Sequence, residues 1–152
     1  MKINVNTNAY PIILNLIFSM DSKTIKLKKT IIDVYKSQLY PTDLYISKKW
    51  DKKDIMSRFE GIDEKDLDTI GKGMMCYNLK DKTTNKYICL ILIDEDKHDD
   101  IHDKIDTIAH ECCHYALDLF NFIGSKDCMN EQEPICYLLG WAVSCAYKTL
   151  MK

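Results

Sequence analysis

The sequence predicts an α+β domain in which a small mixed or antiparallel sheet packs on one long helix and a second helix at the C-terminal end. Three observations predict it. Residues 85–94 hold a run, Tyr87 to Ile93, that is apolar on both faces, as a central covered strand requires. Residues 101–120 repeat apolar positions at helical spacing (Ile101, Ile105, Ile108, Cys112, Leu119). Residues 131–150 do the same with Ile135, Leu138, Leu139, Ala142, Cys145 and Ala146. The chain has 152 residues, which fits a single domain over 1–152 and is long enough to bury a sizeable core.

Taken in order, residues 10–18 are apolar and partly β-branched, and read as a buried strand. The run is too short to span a bilayer, and no small-residue cleavage site follows it. Residues 24–35 open with Ile25 and Leu27 alternating against Lys26 and Lys28, a half-buried strand pattern. Tyr40-Pro41 marks a turn, and Asp43–Ser47 is a short strand. Asp51 is placed to cap a short helix through Phe59, with Ile55, Met56 and Phe59 inward and Gly61 ending it. A second short helix falls within 62–70. Residues 73–79 and 85–94 then form a hairpin across the polar stretch 80–85.

Asp94 to Asp103 is strongly acidic, which suits the N-terminus of the following helix. His98 and His102 lie four apart there, in what reads as a solvated first turn. On the long helix, Ala109, Cys113, Ala116 and Phe120 widen the apolar stripe, and Asn121 and Gly124 end it.

Composition bounds the function. The net charge is −2, which argues against nucleic acid as a partner. Lysines cluster at 26, 28 and 29 and at 48, 49, 52 and 53, and read as solvated faces. The seven cysteines are odd in number and include no Cys-x-x-Cys, so they form neither a zinc ribbon nor a disulfide framework. Cys112, Cys136 and Cys145 fall at apolar helix positions, as small hydrophobes would. A reducing, cytoplasmic setting and no membrane association are the expectation.

The chemistry sits at His110-Glu111-Cys112-Cys113-His114, a His-Glu-x-x-His sequence. On a helix, residues four apart share a face, so both imidazoles can address one ion, and imidazole nitrogen suits zinc. Glu111 is then positioned to act on a water at that ion. Cys113 points about a hundred degrees away from His114 and is not placed to share it. A catalytic zinc needs a third protein ligand. Glu131 and Glu133, in Asn130-Glu-Gln-Glu133-Pro134, both qualify. Each also has a plain structural reading: Glu131 as an acid at a helix N-terminus, and Glu133 as the partner of Asn130 in a capping box.

This arrangement resembles the gluzincin class of zinc metallopeptidases, in which His-Glu-x-x-His is followed, about twenty residues on, by a helix bearing a Glu. It is most similar to small metallopeptidase-like proteins of phages and prophages, whose last helix opens on a segment like Asn-Glu-Gln-Glu133-Pro-x-x-Tyr137-Leu-x-Gly140. The likeness covers residues 73–145. It implies a zincin-like fold, zinc held by His110, His114 and Glu133, and Glu111 as general base. It also implies a peptide or protein substrate added as a strand to a sheet edge, for which 73–79 is the named strand. The chain departs from the best-known gluzincin pattern at Tyr137, where that pattern has an acid. One turn beyond Glu133, Tyr137 becomes a donor to a ligand or to a developing oxyanion. Gly140 would let the two helices approach closely. The same resemblance admits a non-enzymatic reading, in which a phage structural or host-takeover protein keeps the fold with a structural or vestigial metal site and binds virion or host proteins.

Overall fold

The computed structural model describes residues 21–125 and 132–152. The expected strand at 10–18 lies outside them. In chain order the elements are β1 (Ser22–Lys26), β2 (Ile31–Tyr35), β3 (Asp43–Lys49), α1 (Lys52–Arg58), β4 (Phe59–Glu60), α2 (Glu64–Asp68), β5 (Gly73–Asp81), β6 (Lys86–Ile93), a 3₁₀ turn (Glu95–Lys97), α3 (Ile101–Phe122) and α4 (Glu133–Leu150). Among the described residues, six strands form one mixed sheet in the order β1-β2-β3-β6-β5-β4. All neighbours are antiparallel except β3 and β6, which run parallel. The fold is therefore α+β with a mixed sheet, as expected.

β6 is central, and its alternation divides the core in two. Cys89, Ile91 and Ile93 face α3 and α4, where they meet Ile108, Cys112, Tyr115, Leu119, Leu138 and Ala142. Ile88, Leu90 and Leu92 face the opposite layer with Ile55 and Phe59, Leu67 and Ile70. Each of those fully buried Ile and Leu side chains contributes about 1.5–3 kcal/mol relative to exposure. That two-sided cover is why the strand is apolar throughout.

Local chemistry sets most boundaries. Asp51 caps α1 by accepting from the Lys53 and Asp54 amides. The helix stops at Phe59, two residues before the expected Gly61, because the backbone turns extended there and pairs with Asp81. Gly61 follows at φ +99°, a left-handed conformation that glycine adopts at little cost. Asp63 and Asp66 form a capping box at α2. One expectation is corrected outright. Residues 24–35 are two strands, not one, joined by a turn in which the Leu27 amide donates to the Thr30 carbonyl at 2.9 Å. The turn leaves Lys28 and Lys29 both exposed, whereas a continuous strand would drive one of two consecutive lysines inward.

Two buried polar networks tie layers together. Asp33 on β2 accepts from Thr24 (2.7 Å), from Thr149 on α4 (3.0 Å) and from Lys152 (2.6 Å). Burial pushes its carboxyl up, but those hydrogen bonds outweigh burial and hold it below the ordinary range. Asp81, fully buried, accepts from Arg58 at 2.9 Å, from the Tyr45 hydroxyl at 3.1 Å and from the Thr83 and Thr84 amides. Its carboxyl is likewise held low, against burial, chiefly by Arg58. Tyr45 responds in the opposite sense: burial and the Asp81 charge push its phenol up to about 12. No helix among the described residues is long and apolar enough to cross a membrane.

Candidate metal centre

α3 carries the His-Glu-x-x-His sequence and is closed at both ends by its own residues. Asp100 caps it by accepting from the Asp103 amide at 2.9 Å. At the far end Gly124 adopts φ +72°, the Gly124 amide donates to Asn121, and the Ser125 amide donates to Phe120. This is the paired hydrogen-bond pattern of a Schellman stop.

The inward face is Ile108, Glu111, Cys112, Tyr115, Ala116, Leu119 and Phe120. Ala109 and Cys113, expected to widen the apolar stripe, are exposed. Ile101 and Ile105 are also exposed. Cys112 and Cys145 are buried as expected, but Cys136 is exposed, so only two of the three helix cysteines act as core hydrophobes. Burial raises the thiols of Cys89, Cys112 and Cys145.

His110 and His114 both face solvent, one turn apart. Their Nε2 atoms lie 3.0 Å apart, with ring centroids at 4.6 Å and planes at 78°. Two imidazole ligands of a tetrahedral zinc, each about 2.0–2.1 Å from the ion, stand about 3.3–3.4 Å apart. The pair is thus close to the spacing of two ligands addressing one cation. The same distance is that of a hydrogen bond between the two ring nitrogens.

Glu111, next to His110 around the helix, packs toward the sheet and is only 8% exposed. It lies over the first residue of β5. A Cβ built on Gly73 would sit 3.2 Å from Glu111 Cγ and 2.6 Å from Thr107 Cγ2. Glycine at 73 is what lets α3 approach β5 so closely. Thr107 is itself held by His98, whose Nε2 lies 3.0 Å from Thr107 Oγ1 while its Nδ1 lies 2.7 Å from the Asp94 carbonyl. Both ring nitrogens of His98 are therefore engaged within the protein, so His98 fastens the lead-in to the helix and is not free to join His102. The sequence reading missed this latch. Its only local signal was a glycine at the start of a strand, and the partner that requires it is more than thirty residues away.

β5 is bordered by β4 only at Lys80 and Asp81. Its outer edge from Gly73 to Asn78 has no strand beside it among the described residues. A register shift lies between Cys76 and Leu79, with Asn78 at φ 60°.

The remaining expected site residues lie on α4. Glu133 is its first residue and is exposed, and Tyr137 follows one turn later, 42% exposed. The helix is capped by Gln132 without a side-chain hydrogen bond, so α4 does not begin at Asn130 as the capping-box reading expected. Asn130 and Glu131 lie outside the described residues. Gly140 meets nothing within 4 Å of where a Cβ would stand, so it faces open space and does not mediate helix approach. Among the described residues no group of three or more His, Cys, Asp or Glu side chains is gathered as a metal site. The structure brings His110 and His114 together, and it does not draw Glu133 into a three-donor group with them. The donor set fits zinc at two positions of the three that a catalytic ion takes. Comparisons with known protein families, with curated proteins and with solved structures find no match.

Proposed function

We propose that the chain is a zinc-dependent peptidase of zincin-like fold. The observation that carries this is the exposed His110–His114 pair, with Nε2 atoms 3.0 Å apart on a helix whose intervening Glu111 faces the open end of β5. His110 and His114 would hold the ion, and Glu133 at the start of α4 would be the third donor. A zinc ion held there would supply polarisation of the attacking water and of the scissile carbonyl. Glu111 accepts the water's proton on a carboxylate oxygen and returns it to the leaving amine. Tyr137, one turn beyond Glu133, donates its hydroxyl to the developing oxyanion. The edge Gly73–Asn78, with no strand beside it among the described residues, takes an extended peptide or protein segment by main-chain hydrogen bonds, which needs no particular side chain on the substrate.

The test separates metal binding from chemistry. Glu111→Gln is expected to bind zinc stoichiometrically, as wild type does, and to lose hydrolysis of a denatured protein substrate by about 10²-fold or more. Wild-type protein that binds no zinc, or a Glu111→Gln variant that cleaves as fast as wild type, sinks the reading. One observation favours a second reading. Only two donors converge among the described residues, and a vestigial or structural metal site in a non-enzymatic phage protein would look the same. Zinc bound without hydrolysis in wild type selects that reading.

A further inference from the structure

A groove of about 690 Å³ runs between α3 and the C-terminal end of α4, on a different part of α3 from the histidine pair. Its lining is mainly apolar, with Ile105, Ile108, Val143, Tyr147 and Met151 beside Ser144, Lys148 and Lys152. Ile105 is 40% exposed, Tyr147 45% and Met151 62%. Exposed apolar side chains scattered singly are ordinary, but several gathered in one concavity mark a surface that something covers.

The chain supplies a covering segment of matching chemistry. Tyr10–Phe18 reads Tyr-Pro-Ile-Ile-Leu-Asn-Leu-Ile-Phe, with no charged residue. The route to the groove is short. Ser22, the first residue of β1, accepts a hydrogen bond from Lys152 Nζ at 3.0 Å, and Lys152 is a groove residue. The N-terminal segment therefore joins the described fold at the rim of the groove. Three residues separate Phe18 from Ser22, and the four Cα–Cα steps between them reach at most about 14 Å when extended. A segment tethered this closely presents itself at an effective concentration on the order of millimolar, ahead of free competitors. We propose that this groove is the seat of the chain's own apolar run, Tyr10–Phe18, which docks across α3 and α4 and holds their exposed ends together.

The test uses the full chain carrying Tyr147→p-benzoylphenylalanine, irradiated at low and at high protein concentration and digested with trypsin. No lysine or arginine lies between Lys2 and Lys23, so the run is released in one peptide, Ile3–Lys23. The expected product is that peptide joined to position 147 within one chain, in a yield independent of concentration. Adding Leu16→Asp and Ile17→Asp is expected to lower that yield more than about tenfold, since unpaired carboxylates resist transfer into an apolar site. Cross-links between chains that grow with concentration would assign the groove to a second copy and overturn the proposal. So would cross-links that miss Ile3–Lys23, or a yield that the two aspartates leave unchanged.

Discussion

Gly73→Ala tests the close packing of α3 on β5. The added methyl would lie 2.6 Å from Thr107 Cγ2, 3.2 Å from Glu111 Cγ and 3.4 Å from the Leu92 carbonyl oxygen. Relief is difficult. Thr107 is β-branched and stiff about its first torsion, and rotating it sacrifices the 3.0 Å contact with His98. The alternative is for α3 to lift from β5. Overpacking of this kind costs about 1–3 kcal/mol, and the lower unfolded-state entropy of alanine offsets about 0.4–1 kcal/mol. A net loss of about 1–2 kcal/mol is expected, which for a chain of this size lowers Tm by about 2–8 °C. Urea and thermal denaturation monitored by circular dichroism measure it. Thr107→Ala removes the nearest clashing atom, so the double variant should recover about 1 kcal/mol relative to the sum of the singles. Gly71→Ala, where a Cβ meets nothing within 4 Å, is the control and should stay within about 0.5 kcal/mol of wild type. A Gly73→Ala protein as stable as wild type, or singles that add without coupling, refutes the account of this contact.

Three further expectations concern the buried polar groups and thiols. Asp81→Ala leaves the Arg58 guanidinium, only 14% exposed, without its partner, and should cost about 3–5 kcal/mol in urea denaturation. Acid titration should show the two low carboxyls. Asp33 and Asp81 are held below the ordinary 3.8, so protonation favours the unfolded chain. Their contribution is present above that value and is lost as pH falls below about 4, through the folded-state values, and Asp33→Asn should flatten the fall. Alkylation of native protein mapped by mass spectrometry should modify the exposed Cys113 and Cys136, and reach Cys89, Cys112 and Cys145 only after unfolding.

What was legible in the sequence follows from how local each signal is. β6 declared itself because a strand covered on both faces is apolar at every position. α3 declared both ends because an acidic cap and a glycine stop act within a few residues. The break of 24–35 into β1 and β2 did not, because the turn at Leu27–Thr30 uses no glycine, proline or asparagine. The exposure of Ile101, Ile105, Ala109 and Cys113 did not either, since periodicity gives the direction of a side chain and not how far the covering layer extends. The same division runs through the site. The pairing of His110 with His114 is a property of one helix and could be read from spacing. The third donor depends on how α4 lies against α3, which no spacing encodes.

The parallel seam between β3 and β6 governs how the sheet is assembled in time. On one side of it, β1, β2 and β3 follow one another by short connections; on the other, β5 and β6 form a single hairpin. Among the described residues only the seam joins the halves within the sheet, and there Leu44 pairs with Cys89, 45 positions later. Closing a loop of that length costs about 2 kcal/mol more entropy than closing a four-residue turn. The hairpins can form before the seam, but neither can bury the faces of β6 alone. The helix that bears the two histidines rests on β5 and β6, whereas α4 rests on β3. The two helices thus come to share one floor only through that non-local pairing, so the placing of α4 against α3 waits on it while the histidine pair, a property of one helix, does not.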